Sequence, residues 1–83
     1  MHVILWEFTV KPEQQQAFLR AYGPQGDWAQ LFRKAEGYQG TELLQSETPN
    51  TFLTIDRWMQ AEDFKRFKER FQSEYQQLDE QFE

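Results

Sequence analysis

Residues 2–10, HVILWEFTV, are apolar with a period of two and read as a strand. Ile4, Trp6, Phe8 and Val10 share one face, and Val3, Leu5, Glu7 and Thr9 share the other. Both rows are largely apolar, so both faces are expected to be covered. KPEQQQAFLRAY follows as a helix. Pro12 suits the first helical position, Glu13 suits the positive end, and Phe18 and Tyr22 lie one turn apart. GPQG at 23–26 breaks it. DWAQLFRKAEG then starts a second helix, with Asp27 as N-cap and Trp28, Leu31, Phe32 and Ala35 on one face. Gly37 follows where a left-handed cap is expected.

YQGTELLQS (38–46) reads as a second strand, ETPN (47–50) as a hairpin loop, and TFLTIDRW (51–58) as a third strand. From about Gln60 to the end the pattern predicts one long helix. Phe64, Phe67, Phe71, Tyr75, Leu78 and Phe82 form its apolar stripe, read as core packing. Its last turns carry acids and no bases, which opposes the helix dipole, so that end is expected to fray unless it docks. The order β-α-α-β-β-α predicts a single α+β domain over residues 1–83, with a ferredoxin-like antiparallel sheet and helices on one face.

The third strand raises a question of its own. It begins with apolar FLTI and ends in Asp56-Arg57-Trp58, so its two charges point to opposite sides of the sheet. Leu53 and Ile55 form a row suited to the helices. Phe52, Thr54, Asp56 and Trp58 form a mixed row suited to a cavity or an interface. A slip of one residue in register exchanges the two rows.

Composition narrows the function classes. A chain of 83 residues supports one small core that gains from a partner chain. Cysteine is absent, which excludes disulfides and thiolate ligands and fits a cytoplasmic setting. Aromatic residues reach 17% despite a mean hydropathy of −0.90, more rigid apolar area than so small a core needs, so some are expected at an interface or pocket. A net charge of −5 and pI near 4.8 argue against nucleic acid and anionic membranes as partners. No apolar run reaches the length of a membrane span.

WEFTVKPEQQQAFLRAYGP, GDWAQLFR, GYQGTELL and TIDRW, in this order, resemble the antibiotic-biosynthesis-monooxygenase family of the dimeric α/β-barrel superfamily. The resemblance covers nearly the whole chain. It implies a homodimer in which two open sheets pack face to face around a pocket. It also implies a small aromatic or quinone-like ligand, and oxygenation without metal, flavin or any other cofactor. The family pattern ends with a fourth strand that has no counterpart here, leaving the first strand with an apolar edge for a partner to cover. Haem-degrading relatives hold iron through a helix-borne histidine, and His2 is the single histidine of this chain.

Oxygenation of that kind needs a dry aromatic pocket, a group to take a phenolic proton, and room for oxygen. Asp56 or Glu7 is the candidate base, if burial raises its pKa. Trp58, Tyr22, Trp28, Tyr38 and Phe52 are the candidate pocket residues. The plainer readings are an ion pair or a strand-end hydrogen bond for Asp56, an interfacial polar group satisfied by Arg57 or backbone for Glu7, and core or dimer anchors for the aromatics. Ser46 and Ser73 lack the histidine partner of a nucleophilic triad, and no phosphate loop or metal spacing is present. Two other classes stay open. One is a dimeric ligand-binding module without turnover. The other is an interaction protein that docks through an exposed Phe64/Phe67/Phe71 row.

Overall fold

The computed structural model describes residues 1–81. Strand β1 (His2–Thr9) leads through a 3-10 turn (Pro12–Gln14) into α1 (Gln15–Tyr22) and α2 (Asp27–Phe32). Strands β2 (Tyr38–Gln45) and β3 (Thr51–Trp58) follow, then α3 (Ala61–Arg70) and α4 (Gln72–Gln81). The strands form one antiparallel sheet in the order β1-β3-β2. The fold is α+β and ferredoxin-like, without a fourth strand among the described residues.

Register decides which rows meet the helices. Phe8 pairs with Phe52, Trp6 with Thr54 and Ile4 with Asp56. On the other side of β3, Leu43 pairs with Thr54, Thr41 with Asp56 and Tyr38 with Trp58. Directly paired residues share a face. Phe52, Thr54, Asp56 and Trp58 are all buried, because this is the face the helices cover. The expected rows of β3 are therefore exchanged: Leu53, Ile55 and Arg57 lie on the open face, and Phe52, Thr54, Asp56 and Trp58 lie under the helices. The reason is size. Phe and Trp each offer ~150–250 Å² for burial, more than Leu or Ile, and the aromatic stripes of the helices meet that larger area.

Two clusters make the core. Leu31, Phe32, Trp58 and Phe67 form one, flanked by Ile4, Tyr38, Phe64, Phe71, Tyr75 and Leu78. Val10, Phe18 and Phe52 form the other. The C-terminal stripe is thus core, as its spacing predicts, but its helix is not continuous. Phe71 leaves helical geometry at φ −110°, ψ 33°, while its N–H still bonds the Phe67 carbonyl and its carbonyl accepts from the Tyr75 N–H. The break turns α4 onto α2, so Trp28 meets Tyr75 edge-on at 5.2 Å. Phe82, expected in the same stripe, lies outside the described residues.

Local signals account for most boundaries. Asp27 is the first residue of α2 rather than its cap, a position filled by Gly26. A Cβ on Gly26 would stand 2.3 Å from the Arg20 carbonyl oxygen, so glycine here lets the end of α1 lie against the start of α2. Gly37 takes φ +86°, with the Asp63 side chain where a Cβ would go, and its carbonyl accepts from the Met59 N–H at 2.7 Å. That contact ties the start of β2 to the end of β3. Asn50 adopts φ 61° in the hairpin loop, which asparagine tolerates.

Candidate functional site

The helix face of the sheet does not close completely against the helices. A cavity of about 110 Å³ remains. Its floor is Trp6 and Phe8 from β1, Thr41 from β2, and Thr54 and Asp56 from β3. Tyr22 of α1, Trp28 and Phe32 of α2, Phe64 of α3, and Tyr75 and Asp79 of α4 form the walls. The rings brace one another: Phe8 lies 5.0 Å from Tyr22 and Tyr22 lies 6.1 Å from Trp28. Trp6 is 46% exposed and Asp79 is exposed, so these two mark the rim.

Asp56 is the buried charge of this site, 5% exposed. Thr41 Oγ1 donates to its Oδ1 at 2.7 Å. A threonine hydroxyl has one proton, so the 2.5 Å contact between Tyr38 Oη and Thr41 Oγ1 is donated by the tyrosine. The result is a chain Tyr38–Thr41–Asp56 that runs from β2 to the cavity floor. Burial raises the pKa of Asp56, opposed by the Thr41 hydrogen bond. Burial also raises the pKa of Tyr22, Tyr38 and Tyr75. Asp79 and Asp56 add to the rise at Tyr75, which therefore feels both carboxylates.

Of the residues named from sequence, Asp56, Tyr22 and Trp28 converge on the cavity. Tyr38 reaches it through Thr41. Trp58 stands behind it in the core, against Phe32 at 5.6 Å and Phe64 at 5.4 Å. Phe52 belongs to the other cluster, 5.4 Å from Phe18. Glu7 pairs with Leu53 and so occupies the open face, across the sheet from Asp56. Trp6, Phe8, Thr41, Phe64, Tyr75 and Asp79 were not named as site residues, and Thr54 only as part of a row suited to a cavity or an interface, yet a signal for some was present. Trp6 and Phe8 share a face of β1, and Tyr75 and Asp79 stand one helical turn apart.

The Phe64/Phe67/Phe71 row is packed rather than displayed: Phe67 is 2% exposed and its neighbours are half-buried. Among the described residues, no three His, Asp or Glu side chains come together as a metal site requires, and no helix is long and apolar enough to cross a membrane.

A ferredoxin-like sheet with an aromatic, acid-floored cavity between it and its helices defines a small α+β protein. The family model for antibiotic biosynthesis monooxygenases matches residues 1–78, and the chain belongs to that family. No significant match is found among curated proteins or among solved structures.

Proposed function

We propose that this chain acts as a homodimer and binds a small aromatic molecule in the cavity of each subunit. Asp56 is the proton acceptor for a cofactor-independent oxygenation. One observation carries the reading: a buried carboxylate whose hydrogen bond comes from Thr41 stands on the floor of an aromatic cavity. A raised pKa makes a carboxylate a stronger base than it is in water. In such a reaction the substrate loses a proton to the base and the resulting carbanion adds dioxygen. One oxygen atom stays on carbon as a carbonyl, and the other leaves as water. The Tyr38–Thr41 chain supports Asp56 by fixing its orientation, and the surrounding rings exclude water from the carbanion.

Dimerisation draws support from the open face. Val3 is 46%, Leu5 61% and Leu44 42% exposed there, beside half-buried Leu53 and Ile55. Exposed apolar side chains grouped on one face in this way, interleaved with Glu7, Glu42 and Arg57, mark an interaction surface. The test is oxygen uptake with a panel of quinols and anthrones, run beside Asp56→Asn. Turnover that Asp56→Asn abolishes while solution mass and circular dichroism stay unchanged supports the reading. Equal turnover by the variant removes Asp56 from the chemistry.

A second reading, a binding module without turnover, is favoured by size. At about 110 Å³ the cavity is no larger than the ~150 Å³ apolar cavity that takes one benzene. A single ring fills it and leaves little room for dioxygen beside it. Saturable binding of a ring with no oxygen uptake across the panel selects this reading.

A further inference from the structure

The charge lining the cavity is one-sided. Asp56 and Asp79 both border it, and no lysine, arginine or histidine does among the described residues. Asp56 is almost fully buried, and its hydrogen-bond donor is the neutral Thr41. A carboxylate in that position is normally paired with a cation. The open face of the same sheet supplies the contrast, since Glu42 there is paired with Arg57 at 2.5 Å. The remaining wall is aromatic. The negative π-faces of Trp, Tyr and Phe attract a positive charge within about 6 Å of the ring centre. Two of these rings already take a cation on their outer side. Lys68 Nζ lies 5.3 Å from the Phe64 centroid and 5.9 Å from that of Tyr75, yet it does not border the cavity.

Resting on the cavity as the binding site, we infer that its preferred ligand is a small organic cation: one aromatic ring bearing a protonated amine. The ring fills the space between Trp6, Tyr22 and Trp28, and the ammonium group supplies the positive charge that Asp56 and Asp79 lack. The electrostatics of the site agree, because both carboxylates already disfavour ionisation of Tyr75. An anionic ligand meets the same repulsion, and its carboxylate would face two others with no donor of positive charge between them.

Three probes of one shape and different charge test this: benzylammonium, benzyl alcohol and benzoate. Each is titrated at neutral pH against the full chain, following the tryptophan fluorescence, to which Trp6 and Trp28 contribute from the cavity lining. Benzylammonium is expected to bind about tenfold tighter than benzyl alcohol, the scale of one desolvated cation–π or charge contact. Benzoate is expected to bind weakest. Asp79→Asn, an exposed and structurally mild change, narrows the cation-to-alcohol ratio, and Asp56→Asn brings it close to one. If benzyl alcohol binds and charge makes no difference, the cation preference falls while the cavity stands. If benzoate binds best, the inference is reversed. If none of the three saturates, the cavity is not a binding site and both readings fall together.

Discussion

The two faces of the sheet are made from alternate residues of the same strands, yet they finish differently. Under the helices, Phe52, Thr54, Asp56 and Trp58 are at most 5% exposed. On the other side Val3, Leu5 and Leu44 are between 42% and 61% exposed, interleaved with Glu7, Glu42 and Arg57. The first face is completed by the chain itself and holds the cavity. The second lacks a cover within the described residues. The proposed chemistry and the proposed association therefore fall on opposite sides, so each can be tested without disturbing the other. The family resemblance implies a pocket enclosed between two subunits; the cavity described here lies within one subunit.

The largest expected effect breaks the covered face. Trp58 has no exposure and touches Phe32, Tyr38, Phe64 and Phe67. Trp58→Ala should cost ~3–5 kcal/mol in urea unfolding, a large part of what a small domain has. The indole N–H has no hydrogen-bond partner among the described residues, so Trp58→Phe, which removes an orphan donor, should cost distinctly less. Similar losses for the two would mean that shape, rather than burial, dominates the site.

The next effect reads out the open face. Ile55→Lys places a charge in the middle of that face, opposite Leu5 on β1 and Glu42 on β2. Light scattering at micromolar concentration should show the parent as a dimer and the variant as a monomer, with unchanged circular dichroism. An unaltered mass for the variant would mean that the dimer uses another surface, or that none forms.

These two faces also show what the sequence makes legible. The elements follow from local periodicity, and all three strands fall within a residue of expectation. The row that goes inside does not follow from periodicity. On β3 the choice lay between Leu53 with Ile55 and Phe52 with Trp58, two apolar rows one residue apart, and only packing against the helices decides it. The break at Phe71 was hidden for a similar reason: an apolar stripe continues through a kink when both halves pack on one core. Asp56 stood out as a charge within an apolar strand. Its partner Thr41 did not, because β2 and β3 must pair in register before the two meet. Asp79 reads as one more surface acid until α4 folds back over the sheet.

A smaller effect separates function from fold at Asp56. Its folded pKa is raised by burial, so the native state holds the proton more tightly than the unfolded chain does. The associated stability is fully present below the ordinary aspartate pKa and is lost as pH rises through the folded value. Asp56→Asn carries no such penalty. It should unfold at a higher temperature than the parent at pH 7, and the gap should shrink toward acid pH. Cation binding runs the other way, weakening as Asp56 takes up its proton. Tyr38 on β2, Tyr22 on α1, and Tyr75 and Asp79 on α4 surround this titration. The tyrosines, whose pKa values burial raises, stay neutral throughout, and Asp79→Asn removes the other carboxylate that borders the cavity.

The smallest effect sharpens the comparison most. Arg57 and Glu42 form an ion pair at 2.5 Å on the open face, with side chains 34% and 51% exposed. In a monomer such a pair is screened and worth ~0–1 kcal/mol. Glu42→Gln should then be nearly silent, and added salt should erase what remains. If a second subunit covers this face, water leaves the pair, and removing Glu42 strands a buried guanidinium at a cost of ~3–5 kcal/mol. The same substitution measured at dilute and at concentrated protein therefore reports on the cover directly. A penalty that grows with protein concentration places the pair inside an interface. A penalty that stays near zero at every concentration leaves the open face facing water, whatever the cavity on the other side binds.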